Sequence, residues 1–465
     1  MRYLPKVKKY LKRIDIFLLL SLSIFAILLS PFLFVIPYLD GGTDFLQTYS
    51  FYTGGFTKYF HTFNSVHPPF KFWIVDIFFT FFGIHTFSYN ITGLLFGLLG
   101  ILFLYFLAKA LFNTSVARLS TTLFAISPLY LATSLFVMRD FFLTSLLLPA
   151  LYFYSKKKHF LYAIVASLLV LIKETALVFP VAIFIVELFY IKQLIHNKKK
   201  LQILFFLCFP LLVFLGWLSF LHLIHQNSWN DWLFTPTAKK GTFYTVAYNL
   251  ITLHLFNVYA YEQWRHLFIF NFHWVYWIVL LIGVAVLFLY RRPTRAFLCS
   301  GEQNLKTILV IILFSLAYIF SVLTIQTYTI TRYIVPLMPL LLLGVSWSIS
   351  LISRYRHGAG LALTSVVFII SILSLFFSVD PLSSMLWGKT TIFNQKLYNV
   401  FTNLSGPDAI EYNLQYLMLA RTRSSIISSP AAIAIESTDC NWLKNSNEVL
   451  AILQMPDFSI PTICL

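Results

Sequence analysis

Apolar stretches that approach or exceed the length needed to cross a lipid bilayer make up most of this 465-residue chain. About 20 mainly apolar residues span the hydrocarbon core as a helix, because a helix satisfies its own backbone hydrogen bonds. Hydrophobic residues form 59% of the chain and charged residues only 11%, which excludes a soluble globular protein. The sequence therefore predicts an all-α polytopic membrane protein.

The apolar stretches predict about eleven spans. A basic segment, Met1 to Arg13, precedes an apolar run that is too long for the core of a signal peptide, so we interpret that run as a retained first span. Several other stretches are short and imply tilt or a locally thinned bilayer. The predicted spans cover residues 14–36, 88–110, 118–137, 141–155, 159–172, 175–191, 201–224, 273–290, 307–327, 333–353 and 359–379.

Basic residues in short clusters between these spans set the orientation. With the amino terminus in the cytoplasm, most of the 34 Lys and Arg fall in cytoplasmic segments, as the positive-inside tendency requires. The formal charge of +17 is therefore interpreted as a topology signal. The stretch Pro69 to Gly83 is interrupted by Lys71 and Asp76, so it is predicted as an amphipathic helix on the outer surface.

This topology predicts a transmembrane domain and an outer appendage. The transmembrane domain covers 1–379, with large outer loops at 37–87 and 225–272. The tail 380–465 is less hydrophobic and richer in Asn, Ser and Pro, so it is predicted as a small extracytoplasmic appendage. Cys440 and Cys464 share this tail, and both a disulfide and two separate thiols remain open.

Ionisable residues fall where the predicted spans meet the outer side of the bilayer, and charge at that depth usually has a function. Asp40 and Asp44 follow the first span, Asp140 opens the fourth, and Lys173-Glu174 closes the fifth. An acid there accepts a proton from a hydroxyl or amine or helps to hold a metal, whereas Lys and Arg neutralise a phosphate. The structural alternatives are helix capping by the acids and snorkelling by the lysine.

Short motifs elsewhere in the chain accompany these ionisable residues. The motifs are Asp40-Gly41-Gly42-Thr43-Asp44, His67-Pro68-Pro69, Phe81-Phe82-Gly83, Ser127-Pro128, Arg139-Asp140, Lys173 with Pro180, and Thr331-Arg332-Tyr333 before Pro336 and Pro339. In order and spacing they resemble GT-C membrane glycosyltransferases of the protein O-mannosyltransferase and lipid A aminoarabinose transferase type. The resemblance covers about 14–187 and, more weakly, 307–353. Many members have Glu directly after the first acid, whereas Phe45 follows Asp44 here.

The resemblance implies a GT-C bundle and an inverting transfer of a sugar from a polyprenyl-phosphate donor to an acceptor on the outer side of the membrane. Either a hexose or a pentose is compatible with it. Whether Asp40 or Asp44 is the base stays open, because of Phe45. The implied roles are catalytic for Asp44, Asp140 and Asp40, donor phosphate binding for Lys173, Arg332 and Arg139, and substrate binding for His67, Tyr333 and Glu174.

The expected partners are a polyprenyl-phosphate-linked sugar, the bilayer, and a glycan, lipid or protein acceptor, with no nucleic acid. A divalent metal ion stays open as a cofactor, with Asp44 and His254 as candidate ligands. The expected location is the plasma membrane, with the amino terminus cytoplasmic and the carboxy-terminal tail outside.

Two other functions fit a membrane protein with lipid-linked substrates. One is a transporter or flippase of lipid-linked sugars, and the other is an O-antigen polymerase or ligase. The chain has no Gly-rich phosphate loop for an ATP-driven pump. It also lacks the matching halves that are typical of transporters, and its ionisable residues fall at one rim instead of the midplane. The sequence therefore favours the transferase.

Overall fold

The computed structural model describes residues 15–34, 44–45, 47–49, 51–55, 68–190, 198–224, 264–289, 302–324 and 331–377. Within these ranges the chain is helical and contains no β-strand. Several residues predicted from the sequence lie outside them, namely Asp40, His67, His254, Cys440, Cys464 and the whole tail 380–465. The division into a domain over 1–379 and an outer tail stays a prediction.

The described α-helices follow one another along the chain. They are α1 (Ile16–Leu29), α2 (Phe70–Phe82), α3 (Thr86–Leu111), α4 (Thr114–Ala125), α5 (Pro128–Leu135), α6 (Arg139–Ser155), α7 (His159–Val170), α8 (Val178–Leu188), α9 (Lys198–Ile224), α10 (Trp274–Leu289), α11 (Glu302–Tyr318), α12 (Met338–Tyr355) and α13 (His357–Phe376). Asp44, Phe45 and residues 47–49 and 51–55 are also helical.

Five helices in the described ranges are long and apolar enough to cross a membrane, and α5 with α6 adds a sixth if that bent pair is one span. Shorter apolar helices include Ile16–Phe32, α7 and α10. Each predicted span contains described helical structure, so the all-α membrane fold is confirmed. The total of eleven spans stays a prediction.

Close packing around α3 holds the centre of the bundle together. This helix contacts α1, α4, α5 and α6. A Cβ atom on Gly93 would lie 2.1 Å from the backbone carbonyl oxygen of Ser134, and one on Gly97 would lie 2.3 Å from the Phe25 ring. Small residues allow such approach, which matters in a membrane because packing, not water exclusion, drives helix association. Gly93 and Gly97 are therefore needed for the close contact of α3 with α5 and α1.

A strained turn joins α5 to α6. Val137 has a φ of 50°, a left-handed conformation that is unfavourable for a β-branched residue. The Val137 N–H donates to the Ser134 carbonyl and the Met138 N–H to the Thr133 carbonyl, which is the Schellman pattern normally built on glycine. The helix axis turns by 114° here. This turn places Arg139 at the start of α6.

The surface helix α2 has an unusual distribution of polarity. Its buried face includes Lys71 together with Phe72 and Val75, whereas Ile77 and Phe81 are exposed. The helix predicted over Pro69 to Gly83 is present, but its lysine points into the protein and its outward face is apolar. An apolar outward face suits contact with the bilayer, and the inward lysine requires a partner.

A separate group of charges lies at the far end of α6. Tyr154 donates to Glu187 Oε1 at 2.7 Å, and Lys306 Nζ lies 3.0 Å from Glu187 Oε2. The helix runs from Arg139 past Tyr154, so this group and the start of α6 are separated by about 22 Å along the helix axis. These contacts tie α6, α8 and α11 together at that end.

We expect the Gly93→Ala substitution to destabilise the bundle. The new Cβ meets backbone, which cannot rotate away, so a loss of about 1–3 kcal/mol or more is expected from overpacking. Gly216→Ala is the matched control, because Gly216 is also helical and has no atom within 4 Å of the added Cβ. The measurement is thermal unfolding of the purified protein in detergent. Equal midpoints for the two variants would contradict the close approach.

Candidate functional site

Six charged side chains from five segments of the chain meet in two linked groups of ion pairs. In the first, Asp44 contacts Lys71 and Arg139. In the second, Asp140 contacts Lys173 and Arg332. The groups join the segment after α1, helix α2, the start of α6, the segment after α7 and the segment before α12. Each carboxylate therefore lies between two cations.

The first group centres on the buried carboxylate of Asp44. Lys71 Nζ lies 2.5 Å from Asp44 Oδ2, and Arg139 Nη2 lies 2.8 Å from Asp44 Oδ1. Arg139 Nη2 also donates to Gln47 Oε1 at 2.6 Å, and its guanidinium lies 5.4 Å from the Phe72 ring centroid. Both oxygens of Asp44 thus face a cation, and the contact with Lys71 is a charge-assisted hydrogen bond, the stronger class of hydrogen bond.

Packing of the surface helix positions Lys71. The Phe70 N–H, at the start of α2, donates to the Leu171 carbonyl at 3.1 Å, close to Lys173 in the chain. Lys71 Nζ also donates to the Tyr89 hydroxyl at 3.2 Å, which connects α2 to α3. The Phe45 ring packs edge-on against Tyr89, with centroids 5.2 Å apart. The contacts of α2 with the Leu171 carbonyl and with Tyr89 therefore hold Lys71 beside Asp44.

The second group centres on Asp140 in the first turn of α6. Lys173 Nζ donates to Asp140 Oδ1 at 2.7 Å, and Arg332 Nε lies 3.2 Å from Asp140 Oδ2. The Asp140 position near a helix amino terminus is electrostatically favourable for a negative charge. Among the described residues, no side chain caps this terminus by a hydrogen bond. The carboxylate therefore serves the ion pairs and not helix capping.

An aromatic side chain adjoins the second group. Lys173 Nζ lies 4.0 Å from the ring centroid of Tyr333, within the range of a cation–π contact. Tyr333 is buried. Glu174, next in the chain to Lys173, is half-buried at the start of a short 3-10 helix, Glu174–Leu177. Tyr333 and Glu174, two of the three residues predicted to bind substrate, therefore lie beside the ion pairs.

Electrostatic coupling links the two groups and changes the pKa values of Asp44 and Lys71 in the first group. Burial raises the pKa of Asp44, but the positive charges of Arg139, Lys71 and Arg332 outweigh burial and hold that pKa well below its ordinary range. Burial lowers the pKa of Lys71 to about 8, against the opposing effect of Asp44. Arg332 thus acts on Asp44 while it contacts Asp140. Asp44 is ionised throughout the physiological range and is a weak base in this state.

The paired residues carry more positive than negative charge. Four cations and two carboxylates leave a formal surplus of +2 within the two groups. A surplus of this kind, largely removed from water, attracts an anion strongly because the effective dielectric constant is low. The arrangement is chemically suited to a phosphate.

The structure brings together Asp44, Arg139, Asp140, Lys173 and Arg332, with Tyr333 and Glu174 adjoining them. Asp40 and His67 lie outside the described residues, so the choice between Asp40 and Asp44 stays open. The catalytic and binding roles of all these residues stay predictions. Sequence reasoning assigned no role to Lys71 or Gln47, although a lysine inside the apolar stretch of α2 was a signal that it has a buried partner.

The described residues do not fit a divalent metal ion at this position. No group of three or more His, Cys, Asp or Glu in the described ranges is arranged to hold one. The candidate ligand Asp44 already faces two cations, which would repel a third. The other candidate, His254, lies outside the described residues.

Comparison with known proteins gives one family and a set of related structures. Residues 66–220 match the sequence model of the family described as dolichyl-phosphate-mannose-protein mannosyltransferase. The fold is similar to ArnT from Cupriavidus metallidurans in the apo state, with a TM-score of 0.51, 14% identity, and coverage of 94% of this chain and 73% of that chain. A search of curated proteins finds no match.

A second similar structure is the Archaeoglobus fulgidus oligosaccharyltransferase in complex with Zn and sulfate. Its TM-score is 0.50 at 14% identity, with coverage of 86% of this chain and 57% of that chain. At such identities the two structures show the fold alone. They confirm the GT-C membrane fold, and the family match over 66–220 supports the glycosyltransferase resemblance and a general glycosyltransfer role. The matched segment 66–220 contains Lys71, Arg139, Asp140 and Lys173.

We expect Asp140→Asn to destabilise the protein and Lys173→Met to offset part of that loss. Removing one partner of a buried ion pair typically costs about 3–5 kcal/mol, because the remaining charge is left uncompensated. In the double variant Lys173, one of the two cations left without a carboxylate, is also removed. The measurement is thermal unfolding of the two single variants and the double variant. Losses that simply add would contradict direct coupling between Asp140 and Lys173.

Proposed function

We propose that this protein transfers a sugar from a polyprenyl-phosphate donor to an acceptor at the outer face of the membrane, with inversion at the anomeric carbon. The observation that carries the proposal is the pair of linked ion-pair groups, in which two carboxylates are held between four cations. The family match over 66–220 supports a dolichyl- or similar polyprenyl-phosphate donor.

The cations bind the donor phosphate and stabilise it as a leaving group. A sugar phosphodiester carries one negative charge, whereas the lipid phosphate that leaves carries about 1.5 to 2 at neutral pH. The formal surplus of +2 matches the leaving phosphate better than the donor. Negative charge that develops during bond cleavage is therefore stabilised more than the ground state, which is the condition for catalysis.

Donor binding also prepares the base. Without a donor, Lys71 and Arg139 hold the Asp44 carboxylate as a weak base. A phosphate that takes over part of their hydrogen bonding weakens their hold on Asp44, and the pKa of Asp44 rises. Asp44 then accepts the proton of the acceptor hydroxyl or amine as the acceptor attacks the anomeric carbon. The base becomes effective only when the donor is present.

Asp140 has a supporting role in this proposal. Its carboxylate orients Lys173 and Arg332 so that their charges act together on the phosphate. The sugar and acceptor contacts come from the neighbouring polar side chains, with Tyr333 and Glu174 as the described candidates. The distribution of Lys and Arg along the chain supports this outer orientation.

We expect Asp44→Asn to abolish transfer in protein that still inserts, with a loss of stability like that of Asp140→Asn because Lys71 and Arg139 are left without their carboxylate. Removal of one well-placed catalytic group typically lowers the rate by about 10² to 10⁴. Asp76→Asn is the matched control, because Asp76 is an acid on α2 that makes none of the site's ion pairs. The assay follows transfer and hydrolysis with purified protein and a panel of polyprenyl-phosphate sugars.

Two results of that assay would overturn the proposal. Full activity of Asp44→Asn would reject the assigned base. Movement of intact lipid-linked sugar across the membrane of proteoliposomes without bond cleavage would identify a flippase. Monodisperse elution of each variant in detergent provides the control for folding.

We expect kcat/KM, which reports ionisation of the donor-free protein, to fall as pH rises through about 8. Burial lowers the pKa of Lys71 to about 8, so above this pH the lysine loses the charge that captures phosphate. A bound phosphate favours the charged form, so the corresponding fall in kcat lies at higher pH. Lys71→Arg keeps its charge and loses the alkaline fall, although its absolute activity is lower. An unchanged alkaline fall in Lys71→Arg would exclude Lys71 as its origin.

A further inference from the structure

A cavity of about 960 Å³ lies away from the ion-paired site, between α1, α4, α12 and α13. One part of its wall is apolar, with Leu20 and Phe368. Another part is polar, with Arg118, Arg354 and nearby serines. Cavities of this size hold ligands as large as a drug molecule. The wall therefore offers a charged end and an apolar side to one ligand.

The cavity lies at the opposite end of the bundle from the ion-paired site. Tyr89 on α3 contacts Lys71, whereas Tyr105 on the same helix donates to Asp15 at 2.7 Å. The rise of the helix between the two tyrosines is about 24 Å. Asp15 in turn accepts from Arg118, a residue of the cavity wall. By the positive-inside tendency this end faces the cytoplasm.

Arg118 is positioned with donors to spare. Its Nε lies 2.8 Å from Asp15 Oδ2 and 3.1 Å from Asp15 Oδ1. Its guanidinium also lies 4.8 Å from the Phe17 ring centroid. Within the described part of the chain, the hydrogen bonds of the Arg118 side chain all come from Nε, so the terminal nitrogens are available to a ligand. Asp15 fixes the orientation of the guanidinium without using its terminal donors.

The outer wall of the cavity opens toward the surroundings of the bundle. Leu20, Phe368 and Arg354 are all exposed. For a helix in a bilayer, exposed leucine and phenylalanine side chains contact lipid chains. A ligand in this cavity thus contacts hydrocarbon on one side and two arginines at the membrane surface.

We propose that this cavity binds an anionic phospholipid, with its phosphate between Arg118 and Arg354 and an acyl chain along Leu20 and Phe368. Guanidinium groups bind phosphate through several N–H donors, and serine hydroxyls of the wall supply further polar contacts. A free anion would leave the apolar wall without a partner, and a lipid without net negative charge would gain less from the arginines. The proposal is independent of the sugar-transfer reaction at the other end.

The charged end is tested with Arg354→Gln and its matched control Arg356→Gln. Both arginines are exposed and nearby in the chain, but only Arg354 lines the cavity. The probe is dioleoylphosphatidylglycerol added to delipidated protein in detergent, measured as bound lipid by native mass spectrometry and as a rise in thermal midpoint. We expect about fivefold weaker binding in Arg354→Gln, the effect of one basic residue on an anionic lipid, and wild-type binding in Arg356→Gln.

The apolar wall is tested with Leu20→Trp and its matched control Leu19→Trp. The two leucines are neighbours in α1 with similar exposure, 51% for Leu20 and 48% for Leu19, but only Leu20 lines the cavity. An indole at position 20 fills the groove. We expect Leu20→Trp to lose bound lipid and Leu19→Trp to retain it, with the same thermal midpoint for both variants before lipid is added.

Several outcomes would overturn the proposal. Equal losses in Arg354→Gln and Arg356→Gln would indicate general surface charge. Equal binding of dioleoylphosphatidylcholine would show that the arginines do not select the lipid, and stabilisation by inorganic phosphate alone would indicate a free-anion site. Retention of lipid in Leu20→Trp would place the lipid elsewhere. Sugar transfer is measured separately, at saturating lipid. If no transfer is found, the proposed transfer reaction fails, but the conclusion on lipid binding does not change.

Discussion

The cost of holding charge inside an apolar bundle governs the arrangement of this protein. A carboxylate removed from water is tolerated only when it is paired and hydrogen-bonded. Asp44 and Asp140 each meet this requirement with two cations, and each of the four cations comes from a different segment of the chain. Pairing therefore requires five segments of the chain to converge at one end of the bundle.

Local structure supplies the precision that this convergence needs. The left-handed Val137 ends α5 abruptly and starts α6 so that Arg139 and Asp140 leave the first turn in different directions, one toward each group. The Val137 side chain is completely buried, and the packing around it holds the residue in this strained conformation. Close contact at Gly93 holds α5, the helix before α6, against α3. The site thus depends on packing that makes no direct contact with its charges.

Charge separates the two ends of the bundle into different chemical environments. At one end the ion-paired residues have a formal surplus of +2, suited to a phosphate that gains charge as a sugar leaves. At the other end, Arg118 and Arg354 border a cavity with an apolar side. In the functions proposed here, the sugar donor at one surface and an anionic phospholipid at the other are both bound by guanidinium or ammonium groups that contact phosphate.

The amino-acid sequence by itself determined the class of the fold, and it pointed to most of the charged residues that the structure brings together. Apolar length and the clustering of Lys and Arg are local properties, and they predicted the helical membrane fold; the ordered motifs pointed to Asp44, Asp140, Lys173, Arg332 and Arg139. Only the tertiary structure decided the pairing, because the partners of a charge depend on which helices pack together. It turned Lys71 inward from a helix predicted as a surface element, and it engaged both oxygens of Asp44. Contacts between residues as distant in sequence as Asp140 and Arg332 are not encoded in any local pattern.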